Sequence, residues 1–446
     1  MKSLLTHSPI AIALFWISAY LVLTVAPLFL LLLYPPTASD RSFWTEFSVA
    51  LGFIGLAMMA LQFALTARIN RIEASYGVDI ILQFHRFISI VAVIFIVIHP
   101  ILLFIDQPET LQLLNFPQAP WRAQAAMGST LALLLLIATA IWRQPLKIPY
   151  EPWRTSHGIL ATLALALGVT HAIGVGYYLS LFWKAVLWAG IALTALWLLV
   201  YVRVIKPWMM LKKPYLVESV TAERGEVWTL TLHPRGHDGL QFQPGQFAWI
   251  TLDISPFQMR EHPFSMSSSA ENTNRLAFSI KALGDFTRTI KEVKPGTKAY
   301  LDGPYGVFTT DRYEDTSGFV LIAGGIGITP MISILRTEAD RDDERPHLLI
   351  YASRSWEDIT FREKLEELES RLNLKVVHVL RHPPQGWIGE TGYVDKALLG
   401  KYIPKRRATR QYFICAAPRM MDQVEADLHA LGVPVTHVHM EHFNMV

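Results

Sequence analysis

The first half of the chain is built from uncharged apolar runs separated by short polar segments: residues 10–33, 47–67, 87–105, 123–142, 155 to about 176, and 185–202. A helix needs about 20 apolar residues to cross the hydrocarbon layer of a bilayer, and each run meets that length within tolerance. Six membrane-spanning helices are predicted. The first run is too long for the apolar stretch of a cleavable leader, and no small-residue cleavage site follows it. From Pro214 the pattern changes to short strands, 226–233, 247–253, 276–281 and 298–302, set apart by turn pairs such as Pro244-Gly245 and Pro295-Gly296. These predict a small antiparallel barrel. Beyond it strands and helices alternate (319–323, 330–337, 348–353, 361–372, 375–380, 412–415 and 420–431), the order of a parallel α/β nucleotide-binding domain. The expected fold is an all-α six-helix membrane bundle over 1–210, an antiparallel β-barrel over 211–313 and a parallel α/β domain over 314–446.

Composition supports that division. Of the 446 residues 52% are hydrophobic and 17% charged, too apolar for an ordinary soluble enzyme. Residues 1–210 hold 12 of the 40 Lys and Arg and 7 of the 37 Asp and Glu, which places a boundary near Lys212-Lys213-Pro214. The net charge is only +3 and no basic stripe is interleaved with stacking aromatics, so a lipid bilayer is the expected partner and nucleic acid is not. The single cysteine, Cys415, excludes an intrachain disulfide and any Cys-rich metal site.

Basic residues give the orientation. Lys2, Arg68, Arg71, Arg143, Lys147, Arg154, Arg203, Lys206, Lys212 and Lys213 fall on one side of the predicted spans, and Arg41, Arg122 and Lys184 on the other. Ten against three puts the N-terminus and the whole second half in the cytoplasm. The expectation is a multi-pass plasma-membrane protein, in a bacterium the inner membrane. The third and fifth helices then run parallel, from inside to outside.

Residues 8–205 contain only four histidines: His85 and His99 on the third predicted helix, His157 and His171 on the fifth. Each pair is 14 residues apart. At about 100° per residue that spacing returns to nearly the same helix face, roughly 21 Å along the axis. Two parallel helices with equal spacing can face each other as two rungs, His85 with His157 and His99 with His171. Each rung offers two neutral imidazoles to one iron, the ligand set of a bis-histidine haem. Four structural histidines bonded to backbone carbonyls are the plain alternative. A proton relay is another, but it would bring Asp or Glu into the bundle and none of the six runs contains one. Gly158 and Gly168 are expected to leave room for a macrocycle, and Arg86 and Arg154 to reach its propionates. In the second half, Gly324-Gly325-Ile326-Gly327-Ile328-Thr329-Pro330 follows an apolar strand and opens a helix, the setting in which glycines let a pyrophosphate approach backbone N–H groups.

This order of elements resembles the ferric reductase and NADPH oxidase superfamily over nearly the whole chain, from about Phe43, and the second half resembles the ferredoxin–NADP reductase group. His262-Pro263-Phe264-Ser265 is similar to the family's flavin-binding strand, and Lys281-Ala282-Leu283-Gly284-Asp285-Phe286-Thr287 to the segment that cradles the FAD pyrophosphate. Pro244-Gly245-Gln246-Phe247 and Gly303-Pro304-Tyr305-Gly306 match two further barrel landmarks. The turn from Gly324 through Gly325, Gly327 and Thr329 to Pro330 matches the family's nucleotide turn. Arg354 stands where NADPH-using members place an arginine for the ribose 2′-phosphate. Cys415-Ala416-Ala417-Pro418 takes the place of the family's Cys-Gly-Pro, with Cys415 at the hydride-transfer position, and Phe443 in Glu441-His442-Phe443 resembles the aromatic flavin shield.

The resemblance implies FAD, NADPH and two b-type haems. It implies a relay from NADPH through flavin and the two haem sites to an external acceptor, a ferric chelate or dioxygen, as in a ferric reductase or a superoxide-producing NADPH oxidase. Oxygen-reducing members carry a histidine four residues after the outer ligand, where this chain has Leu103, which favours a ferric chelate or another external acceptor and leaves dioxygen open. Arg122 and Lys184 are the basic residues expected to attract an anionic chelate. A cytochrome b subunit passing electrons to a partner redox protein is the alternative.

Overall fold

The computed structural model describes residues 9–34, 41–69 and 77–441. The chain divides into two units, residues 1–205 and 206–446. Among the described residues the first holds six long helices: α1 Pro9–Leu32, α2 Phe43–Leu65, α3 Val78–Asp106, α4 Trp121–Ile141, α5 Tyr150–Val175 and α6 Phe182–Val200. All six are long and apolar enough to cross a membrane. Their outward faces are apolar: Phe87, Ile90, Ile94, Ile98, Ile101 and Ile105 make an exposed stripe down α3 at three- and four-residue spacing. Such a stripe is stable only against lipid or another apolar partner. Inward faces use small residues, Ala57, Ala60, Ala92, Ala132 and Ala164, all buried, which let helix backbones approach. Ser129 on α4 donates to the Ala164 carbonyl of α5 at 2.7 Å.

The helices overrun the apolar runs. α3 begins nine residues before 87 because His85 and Arg86 interrupt apolarity without interrupting the helix. Acidic residues accordingly do enter these helices: Asp79 and Glu151 in the first turns of α3 and α5, and Glu46 of α2 and Asp106 of α3 at the ends nearer His99. The last two are engaged: Asp106 accepts from Thr45 at 2.7 Å and from Ser42, and Glu46 accepts from Tyr178. After α6 comes one π-helical turn, Tyr201–Ile205, which the sequence does not signal.

The second unit opens with α7 (Lys206–Leu211) and a six-stranded antiparallel sheet. Its strands are β1 Tyr215–Glu223, β2 Val227–Pro234, β3 Phe247–Leu252, β4 His262–Ser265, β5 Leu276–Lys281 and β6 Lys298–Tyr305, in the order β4-β3-β6-β1-β2-β5. A bridge between Met266 and Phe278 brings its two edges together, so the sheet curls around a core that includes Leu230, Leu232, Ile250 and Phe278. The short helix α8, Asp285–Thr289, follows β5.

A second sheet holds β7 Phe319–Gly324, β8 His347–Ser353, β9 Leu374–Leu380, β10 Glu390–Thr391, β11 Gln411–Cys415 and β12 Val438–Met440. All its pairings are parallel, in the order β10-β9-β8-β7-β11-β12. Helices α9 Ile328–Asp340, α10 Arg362–Arg371, α11 Lys396–Tyr402 and α12 Pro418–Ala430 complete the α/β unit. From β7 the chain builds outward through β8 and β9, then returns to set β11 on β7's other side. That reversal is where open α/β sheets bind ligands, beyond the carboxyl ends of the strands.

Candidate functional site

The carboxyl ends of β7 and β11 meet at the reversal point. Gly325 has φ +54°, with open space where a side chain would stand. Gly327 lies so close to Cys415 that a Cβ there would overlap the Cys415 carbonyl. The turn thus needs glycine twice, once for its conformation and once for its proximity to β11. Tyr351, buried in β8, donates its hydroxyl to the Gly325 carbonyl at 3.1 Å and braces the turn from below. Thr329 donates to the Ile326 carbonyl at 2.9 Å, which commits its hydroxyl to the turn itself. Pro330 is buried in the first turn of α9, where its missing N–H costs nothing.

A cavity of about 370 Å³ opens beside this turn, lined by Gly325, Ile326, Ser353 and Arg354 on one side and by Glu226 and Lys281 of the barrel on the other. Arg354 and Lys281 are its cations; Glu226 and Asp358 are its acids. Lys281, assigned from the sequence to the FAD pyrophosphate, lines the same cavity as Arg354. Tyr351, Glu226 and Asp358 carry no recognisable motif and were not expected here.

Cys415 is buried beneath the turn, and burial with the nearby Glu441 carboxylate pushes its thiol well above the ordinary range. It stays a neutral thiol. Glu441 also lies against Gly306 of the barrel landmark. His442 and Phe443, including the expected aromatic shield, lie outside the described residues.

In the barrel, β4 pairs with β3, setting Ser265 opposite Phe247 and His262 opposite Ile250. The His262 ring stacks on Phe286 at 3.8 Å, and Phe264 lies parallel to Phe286 at 6.1 Å. The Ser265 hydroxyl is buried with no hydrogen-bond partner among the described residues. A buried orphan hydroxyl beside aromatic rings fits a planar ligand with hydrogen-bonding edges, as an isoalloxazine is. Thr287 accepts from the N–H groups of Leu283 and Gly284 at 2.9 and 2.8 Å, so it shapes the Gly284–Phe286 turn from within.

In the membrane unit, His85 on α3 lies within electrostatic range of His157 on α5, and His99 within range of His171. His99 Nδ1 lies 2.9 Å from the Ser48 carbonyl, and His171 Nδ1 lies 2.9 Å from the Arg122 carbonyl. The Ser48 hydroxyl oxygen is also 2.9 Å from His99 Nδ1; since a carbonyl only accepts, both carbonyl contacts call for the tautomer with Nδ1–H and a bare Nε2. The Nδ1 atoms of His85 and His157 are buried without a partner among the described residues. No group of three or more His, Cys, Asp or Glu side chains converges there, among the described residues. Paired imidazoles with no further donors fit the axial positions of a haem and not a bare-ion cage.

Three expectations change. Gly168 leaves no room for a macrocycle, since a Cβ there would stand 2.9 Å from Leu56 and 3.2 Å from Ser129; it lets helices pack. Gly158 faces only Arg203, at 3.7 Å, and Arg203 also acts electrostatically on His157. Arg203, not singled out from the sequence as a propionate partner, is therefore the cation found beside His157. Lys184 is 1% exposed and donates to the carbonyls of Leu31 at 2.6 Å and Tyr34 at 3.3 Å, capping the end of α1. Burial and those bonds remove it as a docking point for an anionic acceptor. Arg122 remains exposed.

A family model described as a ferric reductase like transmembrane component matches residues 51–168, an FAD-binding domain model matches 215–309, and an oxidoreductase NAD-binding domain model matches 321–426. The chain belongs to the ferric reductase/NADPH oxidase superfamily. It is a multi-pass membrane oxidoreductase with domains for FAD and NAD(P)H. NADH-cytochrome b5 reductase 1 of Laccaria bicolor is 30% identical over 47% of this chain and 69% of its own length. A Ralstonia ferredoxin–NAD(P)(+) reductase component of naphthalene 1,2-dioxygenase/salicylate 5-hydroxylase systems is 30% identical over 46% of this chain and 61% of its own. The FAD/NAD binding domain of nitric oxide dioxygenase from Vibrio cholerae aligns with 51% of this chain and 97% of its own, at 25% identity and a TM-score of 0.46. These three relatives match about half of this superfamily member.

Proposed function

We propose that this protein carries electrons from cytoplasmic NADPH across the membrane to an external acceptor, using three regions, 1–210, 211–313 and 314–446. The observation that carries the reading is the double histidine pair on α3 and α5, in a chain that also has flavin and pyridine-nucleotide domains. When bound, FAD divides the two electrons of a hydride, and two b haems supply one-electron stations within the bilayer. His85 and His157 would hold one haem, His99 and His171 the other. Each pair would give its haem two neutral imidazole ligands, and outer-sphere electron transfer is the chemistry such a group would supply.

The chain's own residues do the positioning. Gly325, with open space at its α-carbon, admits the pyrophosphate of NADPH, Gly324 and Gly327 hold the turn close against the protein, and Arg354 would pair with the 2′-phosphate. His262, Phe264, Ser265 and Phe286 receive the flavin ring, and the neutral Cys415 thiol lies beneath the nicotinamide position. Glu226 and Asp358 are suited to ribose hydroxyls, a feature NADH shares, so cofactor choice rests on Arg354. At the outer end Arg122 is the exposed cation for an anionic ferric chelate, and Leu103 leaves out the extra histidine of oxygen-reducing members. Ferric chelate is the proposed acceptor.

The test is direction and charge. In proteoliposomes with the reductase half outward, external NADPH should reduce a ferric chelate trapped inside and make the lumen negative. Each electron crosses without a cation, so an opposing potential costs up to about 2.3 kcal/mol per 100 mV. Valinomycin with potassium should then speed turnover. Reduction of external acceptors alone, with no potential, overturns the transmembrane path.

A further inference from the structure

The two histidine pairs sit in different hydrogen-bond settings. His99 and His171 each direct Nδ1 at a backbone carbonyl, of Ser48 and Arg122, at 2.9 Å. His85 and His157 have buried Nδ1 atoms without a partner among the described residues. The contrast is built by α2. Ser48 is fully buried; its hydroxyl donates to the His99 carbonyl at 2.7 Å and its oxygen also lies 2.9 Å from His99 Nδ1, while its own carbonyl takes the His99 Nδ1–H. One turn on, Gly52 leaves the space the ring occupies: a Cβ there would stand 3.2 Å from His99 Cγ and 3.3 Å from Nδ1. Ser48 and Gly52 together fix the ring's position and its tautomer.

We propose that Ser48 and Gly52 are positioning residues that tune the His99/His171 haem to a lower midpoint potential than the His85/His157 haem. This rests on the bis-histidine reading proposed above. An imidazole that donates Nδ1–H to a carbonyl gains electron density at Nε2 and becomes the stronger donor to iron. A stronger donor stabilises ferric over ferrous iron, so adding one electron is harder and the potential falls. Both ligands of the His99/His171 pair are so bonded, and among the described residues neither ligand of the other pair is. The site nearer the acceptor is thereby the stronger reductant, and the inside-negative membrane potential offsets the unfavourable step toward it.

Reductive potentiometry of the haem α-band on the full-length holoprotein in detergent tests this. The wild type should show two components, and His171→Ala should lose the lower one. Gly52→Ala, with all four ligands intact, should raise the lower component and shift its low-spin ferric resonance while leaving the higher unchanged. Ser48→Ala should act in the same sense, and Ser48→Thr should restore the wild-type value. Loss of the higher component in His171→Ala, coincident potentials in the wild type, or a Gly52→Ala shift in the higher component overturns the tuning. A wild-type protein without haem absorbance would overturn the ligand reading itself, and the spectrum shows that before any potential is measured.

Discussion

Gly327 and Cys415 are in backbone contact across the mouth of the nucleotide crevice, with no space between them for a methyl group. Gly327→Ala must therefore part the turn from β11 or distort both. Overpacking of this kind costs about 1–3 kcal/mol. The expected result is a KM for NADPH raised at least tenfold, with FAD still bound. Steady-state kinetics alongside flavin fluorescence would check it; an unchanged KM would place the nucleotide elsewhere.

Arg354 is exposed and lines the cavity beside the turn. Charge-assisted hydrogen bonds to a phosphate contribute about 1.5–3 kcal/mol. Arg354→Ala should raise the KM for NADPH on the order of ten- to a hundredfold and leave that for NADH nearly unaltered. Equal losses with both nucleotides would show that Arg354 does not read the 2′-phosphate.

Much of this site could be read from the chain before any fold was known, and what escaped has physical causes. The histidine pairs stood out because a polar residue is rare in a span and its spacing maps directly to a helix face. Ser48, Gly52 and Arg203 did not, because their roles depend on how α2 and the α6 extension are rotated, which an apolar run leaves open. β1 escaped because a bulge between Val217 and Ser219 breaks the two-residue alternation. β4 was marked by the family resemblance and not by alternation, because Pro263 argues against a strand; it lies at a sheet edge where a missing N–H is tolerated.

Lys206 Nζ lies 2.9 Å from the Asp302 carboxylate and donates to the Tyr305 hydroxyl at 2.5 Å, while Tyr305 donates to Asp302 at 2.6 Å. Lys206 and Asp302 side chains are only 13% and 8% exposed. Removing one partner of a buried pair costs about 3–5 kcal/mol because the other charge stays behind. Lys206→Met should lower the temperature at which FAD is released, and Lys206→Met with Asp302→Asn should recover much of the loss. Equal melting of the single and double variants would show that the charge of Asp302 is not the cause.

His347 is 3% exposed and its pKa is lowered to about 4, chiefly by burial and further by Arg345 and Arg410, against the opposing pull of Asp343. Unfolded, it titrates near 6.5. Between those values the unfolded chain holds a proton that the fold excludes, so stability is full above about pH 6.5 and falls as pH drops toward 4. One such group accounts for about 3 kcal/mol over that window. His378, lowered to about 4, and His439, lowered to about 3, act in the same sense. His347→Gln should flatten the pH dependence of thermal unfolding below pH 6.5. An unchanged slope would mean that His347 is protonated in the fold.

Cys415 is the only thiol in 446 residues, and it lies under the nucleotide turn with its proton held tightly. Alkylating reagents attack thiolates, and here both access and ionisation are withheld while the crevice is shut. Labelling therefore requires a local opening, and its rate counts those openings. NADPH, by holding the turn against β11, should slow the labelling in proportion to its occupancy. The wild-type chain thus carries its own chemical clock for crevice breathing, and the same silence elsewhere makes it a nearly blank background on which single cysteines can be introduced to follow any other part of the molecule.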